Sequence, residues 1–342
     1  ATLSAGLVAS GVKEGDVVAL RLDDAPCHLI ATLAVGAIGA TVLSVPRSMP
    51  EAQRDYLFAK TNCKIMLSGV EYADTTAPIG VSDLRYSEVL ANNHKDGLYP
   101  VNVPVTHPWI YATGSGSTGQ SKVMPITHDL ELRRVADLAS ILKSSSEAIV
   151  HSMSWISFLS GKRRAIETFF VGGALQVSQL SLASLVEAIA NDRLHILYAT
   201  PFHMQRILDQ LDQLDQLDQV ARDDTIVFPK LQALYLSSAT IAPDLRKDIW
   251  KKISKNVNIL YGTNECSFVT ISQAKQVIEW EKSVGHVCSG TTVEIVNSNN
   301  KVLPIGEMGE IRIKTPYLIT GYIDDSSATQ KAFRDGWFYP GD

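Results

Sequence analysis

Tyr111-Ala-Thr-Gly-Ser-Gly-Ser-Thr-Gly-Gln-Ser-Lys122 is the most informative stretch of the chain. Its glycines at 114, 116 and 119 fit G-x-G-x-x-G, the pattern of a dinucleotide loop, which must run directly into a helix. Here Lys122-Val-Met-Pro-Ile-Thr127 follows instead, a strand-like segment with Pro125 inside it, and helical character begins only near Thr127-His128. An NAD(P)-dependent oxidoreductase is therefore the lesser alternative. A Walker A loop also fails, because Gln120 stands where its lysine belongs, and no V-A-I-K, H-R-D or D-F-G of a protein kinase occurs. The remaining inventory is Gly114, Gly116 and Gly119, the hydroxyls of Thr113, Ser115, Ser117 and Thr118, and Lys122. Backbone N–H groups exposed by glycine, hydroxyl donors and one mobile cation suit a polyphosphate. A flexible Gly/Ser turn between strands accounts for the loop equally well at this point.

Outward from the loop, the chain alternates strand and helix. Upstream, strands are expected at Val17–Leu22, Thr41–Val45 and Lys64–Ser68, and helices at Leu3–Ala9, Leu29–Gly39 and Glu51–Lys60. Ser68–Pro104 is polar with scattered prolines and reads as a long surface connection. Downstream, strands fall at Trp109–Thr113, Ala148–His151, Ala174–Gln176, Ile196–Ala199, Ala233–Leu236 and Val257–Tyr261. Helices fall at Leu130–Lys143, Leu182–Asn191, Pro201–Leu217 and Pro243–Ser254. Such alternation predicts an α/β fold with parallel sheets and crossover helices. After Gly285 the texture changes to short strands and turns. The expected organisation is a first α/β lobe over 1–107, a second over 108–275 and a small β-rich lobe over 276–342. Four Leu-Asp-Gln units from Leu208 to Gln219 have a period of three, which spirals around a helix and builds no single apolar face; they read as a solvated extension.

Lys plus Arg number 31 against 36 Asp plus Glu, a net charge of −5, which disfavours a nucleic-acid binder. Cys27, Cys63, Cys266 and Cys288 are scattered without C-x-x-C pairing, so reduced thiols and a cytoplasmic location are expected. The most apolar stretch, Ala31–Val45, falls short of the roughly 20 residues of a transmembrane helix. No leader opens the chain, and its start inside a helical pattern is expected to be a cut one. The histidines form no H-E-x-x-H pair and no G-x-S-x-G elbow is present, which disfavours zinc and serine-hydrolase chemistry.

Four motifs in order resemble the adenylate-forming (AMP-binding) superfamily of acyl- and aryl-CoA synthetases and peptide-synthetase adenylation domains. Ser115-Gly-Ser-Thr-Gly-Gln-Ser-Lys122 followed by Thr127-His128 resembles its phosphate loop, and Tyr261-Gly-Thr-Asn-Glu265 its Tyr-Gly-x-Thr-Glu. Gly309-Glu-Ile-Arg-Ile with Gly321-Tyr322 resembles the Gly-Glu-Leu…Gly-Tyr block, and Gly336-Trp-Phe-Tyr-Pro-Gly-Asp342 the closing Gly-Trp-Phe-x-Thr-Gly-Asp. Gly114, Ser121, Val123, Asn264 and Pro340 depart from the usual Thr, Pro, Gly, Thr and Thr, so a nucleotide-binding but weakly active or inactive member is the alternative.

The resemblance implies a large N-terminal domain of two α/β lobes and a β-rich lobe, ending before the family's small C-terminal domain, so that the fragment alone turns over poorly. It implies ATP-dependent conversion of a carboxylic acid to acyl-AMP, then a thioester with CoA or the phosphopantetheine of an acyl carrier protein. Ser115, Gly116, Ser117, Thr118, Gly119 and Lys122 would hold the phosphates, Glu265 a Mg²⁺ ion, and Asn264 would stand at the α-phosphate. Tyr261 and Gly262, with Ser237-Ser238-Ala239, would face the adenine, and Asp342 would accept the ribose hydroxyls. Ser157-Phe-Leu-Ser-Gly161 resembles the block lining the acyl pocket, putting Phe158 and Gly161 there; Phe158 as ordinary core is the competing reading. No acid lies between His151 and Lys162 to pair an α-amine, so an acyl or aryl acid is preferred over an α-amino acid.

Overall fold

The computed structural model describes residues 1–70, 77–91, 102–114, 121–216 and 226–342. The chain forms two compact units, Ala1–Arg134 with Ile156–Arg163 and Tyr317–Gly336, and Val135–Trp155 with Arg164–Pro316 and Trp337–Asp342.

The first unit is built on strands β1 (Val17–Arg21), β2 (Thr41–Ser44), β3 (Ile65–Ser68), β4 (Ser82–Arg85), β5 (Pro108–Gly114) and β6 (Lys122–Thr127), in the spatial order β4-β3-β1-β2-β5-β6. All neighbours are parallel except β5 and β6, which form an antiparallel pair with Gly114 opposite Lys122. This sheet therefore continues past residue 107. Val17 to Leu20 are all buried, as a strand covered on both faces requires. The helix Ala25–Ala37 starts four residues before the expected Leu29, because Asp24 caps it, accepting from the Cys27 N–H at 2.8 Å, and a proline occupies its first turn. Pro125 is tolerated in β6 because that strand is at the sheet edge.

The expected surface connection Ser68–Pro104 is corrected: it contains β4 and the helix Tyr86–Ala91. Ser82-Asp-Leu-Arg85 lies at an edge, and the Ser68 hydroxyl donates to the Asp83 carboxylate at 2.5 Å. An edge strand half-covered by the core needs no apolar run, so composition carried little sign of it.

The second unit holds β7 (Ile149–Ser152), β8 (Ala174–Gln176), β9 (Ile196–Ala199), β10 (Ala233–Leu236), β11 (Val257–Thr263), β12 (Ser267–Gln273) and β13 (His286–Val287). Their order is β13-β12-β11-β10-β9-β7-β8, parallel from β8 to β11 and antiparallel beyond. Side chains alternate between two cores. Leu197, Leu234, Leu236 and Ile259 pack on one face, and Ile196, Tyr198, Tyr235 and Leu260 join Leu138 and Leu142 on the other. Two further strands, β14 (Thr292–Val296) and β15 (Glu310–Lys314), pair antiparallel, and Ile313 pairs onward with Phe338. Among the described residues no helix is long and apolar enough to cross a membrane.

Candidate active site

In a parallel sheet, ligands gather beyond the carboxyl ends of the strands. Two of the sequence motifs occupy that edge in the second unit. Ser237-Ser238-Ala239 leaves the end of β10, and Tyr261–Glu265 forms the end of its parallel neighbour β11 and the turn into β12. Ser238 and Ala239 are exposed, and Ser238 is held at φ +77°, a left-handed conformation that is uncommon outside glycine and clusters at functional sites. The Ser237 N–H donates to the Ala199 carbonyl at 3.3 Å, fastening this turn to β9.

The register of β11 against β12 shifts between Tyr261 and Gly262. Gly262 is obligatory there: an added Cβ would lie 2.2 Å from the Ser267 carbonyl oxygen and 2.8 Å from the Phe268 Cα. The bulge redirects the chain so that Asn264 and Glu265 occupy the turn, both half-buried. The Glu265 N–H donates to Thr263 Oγ1 at 3.2 Å.

Asp342, remote in sequence, meets this edge. The Tyr261 hydroxyl donates to Asp342 Oδ2 at 2.6 Å, and the Ile311 N–H donates to the Asp342 carbonyl at 3.1 Å. Burial, and next the bond to the Asp342 carboxylate, push the Tyr261 phenol well above its ordinary value, so it remains a proton donor at any working pH. Tyr261 is thus neither plain core nor free surface; it aims one exposed carboxylate.

In the first unit, Gly114 closes β5 and Lys122 opens β6. Ser115, Gly116, Ser117, Thr118, Gly119 and Gln120 lie outside the described residues. The strand Lys122–Thr127 after the glycines, with a helix starting only at His128, removes the dinucleotide-loop reading. Thr127 of the Thr-His pair caps that helix, accepting from the Leu130 N–H at 3.1 Å, while the His128 ring stacks on Trp109 at 5.2 Å. Burial, and then His107, lower the His128 pKa, so the stacked ring is neutral near pH 7. Phe158 is 56% exposed and so is not core, whereas Gly161 is buried in the first turn of the helix Leu159–Phe170.

A family model described as AMP-binding enzyme matches residues 1–323. The chain belongs to the AMP-binding enzyme family. It is 25% identical to a feruloyl-CoA synthase of an Amycolatopsis species, over 100% of this chain and 68% of that protein. It is 23% identical to the malformin synthetase of Aspergillus sclerotiicarbonarius, over 96% of this chain but 6% of that much longer protein. Among solved structures, ATP-bound MatB from Rhodopseudomonas palustris superposes with a TM-score of 0.85 at 20% identity, covering 100% of this chain and 68% of that one. The fold is that of the large N-terminal domain of adenylate-forming enzymes.

One feature of this AMP-binding chain escaped the sequence reading altogether. The helix Leu159–Phe170 buries Lys162, Arg163, Arg164 and Glu167. Lys162 donates to Ser44 Oγ at 2.8 Å and lies 3.1 Å from His28 Nε2, while His28 Nδ1 is 3.1 Å from the Leu22 carbonyl. A carbonyl only accepts, so Nδ1 carries the ring proton and Nε2 accepts from Lys162. Burial foremost pushes Lys162 down to about 7, against a smaller opposing pull from Glu131, and burial with Lys162 pushes His28 down to about 3. Arg163 clamps the Glu131 carboxylate in a bidentate pair, 2.9 and 2.8 Å. The available signal was the run Lys162-Arg-Arg164 standing amid apolar residues beside the Phe158–Gly161 block.

Proposed function

We propose that this chain carries the adenylation site of an acid–thiol ligase. It activates an acyl or aryl carboxylic acid with ATP to acyl-AMP, releasing pyrophosphate, and the acyl group then passes to the thiol of CoA or of a carrier-protein pantetheine. The observation that carries this reading is the gathering of Ser237–Ala239, Tyr261–Glu265 and Asp342 at one carboxyl edge of a parallel sheet, with the Tyr261 hydroxyl directing the Asp342 carboxylate. The likeness to a feruloyl-CoA synthase supports an aryl acid with CoA as the thiol acceptor.

The substrate carboxylate, with an ordinary pKa near 4, is ionised at neutral pH and needs no general base. One of its oxygens bonds to the α-phosphorus while the bond to pyrophosphate breaks, the electron pair leaving with pyrophosphate. Two anions must be brought together, so the protein's work is alignment and charge compensation. The exposed Asp342 carboxylate suits two ribose hydroxyls, and Tyr261 with the exposed Ser238–Ala239 backbone suits the flat purine. Lys122, the first residue of β6, supplies a cation for the phosphates.

No group of three or more His, Cys, Asp or Glu side chains able to hold a metal occurs among the described residues. A single carboxylate, Glu265, fits Mg²⁺ well, since that ion takes one or two carboxylates together with substrate phosphates and water. When bound, it would supply charge stabilisation to the phosphate oxygens. Phe158, exposed at the start of its helix, and Gly161 stand for the acid-binding wall.

The test is acid-dependent ATP–pyrophosphate exchange by the full-length protein across a panel of aryl, aliphatic and α-amino acids, with non-hydrolysable acyl-AMP mimics in a thermal-shift series. Exchange with an aryl or aliphatic acid, and a matching stabilisation by its mimic, is expected. Exchange with α-amino acids alone would reject the acid class, and neither exchange nor mimic binding would reject the site.

A further inference from the structure

Lys122 rests on an aromatic platform within its own unit. Its Nζ lies 4.6 Å from the centroid of the Tyr322 ring, cation–π range. The platform is built, not incidental. The Ile323 N–H donates to the Val123 carbonyl at 2.9 Å, so the segment after Tyr322 is stitched to the residue after Lys122 along the open edge of β6. The Tyr322 N–H donates to Thr329 Oγ1 at 2.9 Å, and its ring packs against Phe333 at 5.7 Å. Gly321, at φ +152°, lets the chain approach Thr329 so closely that a Cβ would sit 2.7 Å from Thr329 Cγ2. Tyr322 itself is buried, while Lys122 is half-exposed. Every contact places a rigid ring face beneath the Lys122 ammonium group at the start of β6.

We propose that Tyr322 is a positioning residue for nucleotide binding, its ring holding the Lys122 ammonium at the start of β6 in readiness for the phosphates of ATP. This rests on the reading of Lys122 as a phosphate ligand. A lysine carries four rotatable bonds, and anchoring its head on a ring before the nucleotide arrives removes part of the ordering cost from binding. The attraction is electrostatic and acts through the ring face, so phenylalanine retains it and leucine does not.

The experiment is steady-state pyrophosphate exchange by the full-length protein as wild type, Tyr322→Phe, Tyr322→Leu, Lys122→Met and the Lys122→Met/Tyr322→Leu double variant. Tyr322→Leu is expected to raise KM for ATP about three- to tenfold while KM for the acid stays within about twofold; Tyr322→Phe behaves as wild type. In the Lys122→Met background, Tyr322→Leu adds no further ATP defect, because the cation it positions is gone. If Leu prevents folding, Tyr322→Met keeps the bulk without a ring face and takes its place. An unchanged or lowered KM for ATP in the ring-less variant, equal losses for ATP and acid, or full additivity with Lys122→Met would each overturn the proposal. An ATP KM unaffected by Lys122→Met would overturn the phosphate role of the lysine itself.

Discussion

Replacing Lys162 by methionine should make the protein more stable at neutral pH and flatten its stability on the alkaline side. Lys162 is 1% exposed, and its amine is held at about 7 in the folded chain against an ordinary 10.5. That gap amounts to about 5 kcal/mol of lost interaction for the charged form. Between those two values the unfolded chain binds the extra proton, so stability rises with pH through the window and is lost as pH falls toward 7. From about pH 7 to about pH 9 the gain is about 2 kcal/mol, given the half-titrated starting point. Methionine matches the length of the lysine stem and carries no charge. It leaves His28 Nε2 and Ser44 Oγ bonded to each other at 3.1 Å, so neither partner is stranded. The assay is urea unfolding of both proteins at several pH values, followed by tryptophan fluorescence and circular dichroism. The expected result is a higher midpoint for Lys162→Met at about pH 7, with the two proteins converging as pH rises. Parallel pH profiles, or a methionine variant destabilised by several kcal/mol at about pH 7, would refute the buried neutral amine.

Arg163→Met should destabilise by about 3–5 kcal/mol by urea unfolding, because it strands the fully buried Glu131 carboxylate; adding Glu131→Leu should recover most of the loss. Gly262→Ala should abolish the thermal shift produced by acyl-AMP mimics, since its Cβ overlaps the Ser267 carbonyl and must displace the Asn264–Glu265 turn. Tyr261→Phe should raise KM for ATP about three- to tenfold in pyrophosphate exchange, with melting little changed, because Asp342 loses its one oriented donor from that ring. On the acid side, His28 is held at about 3 against 6.5, so stability present above 6.5 falls as pH drops toward 3; His28→Gln should weaken that dependence in the same unfolding assay.

Where local pattern and tertiary environment agreed, the chain was readable. Ile196–Ala199 and Ala233–Leu236 are short apolar runs because parallel strands are covered on both faces, and the structure has them at those bounds. The strand after the glycine loop was legible too, because Lys122–Thr127 carries Pro125 in its interior, where a helix would be broken. Legibility failed where burial is polar. The helix Leu159–Phe170 hides its buried face behind Lys162, Arg163, Arg164 and Glu167, charged types that are normally solvated, so no apolar stripe marked it. At the site, the motif residues are legible in the sequence, but the hydroxyl contact of Tyr261 with Asp342 is not.

The sequence by itself determined the alternation of strands and helices, the glycine loop and the four motifs that mark an AMP-binding enzyme, because these depend on residue type and local spacing. Only the tertiary structure decided which charges are buried neutral or paired, which strand ends stand side by side, and that Tyr261 directs Asp342 across 81 positions of chain. It also set the Tyr322 ring under Lys122. The physical reason is the same in each case: burial and long-range hydrogen bonds belong to the packed neighbourhood of a side chain, and no local pattern encodes that neighbourhood.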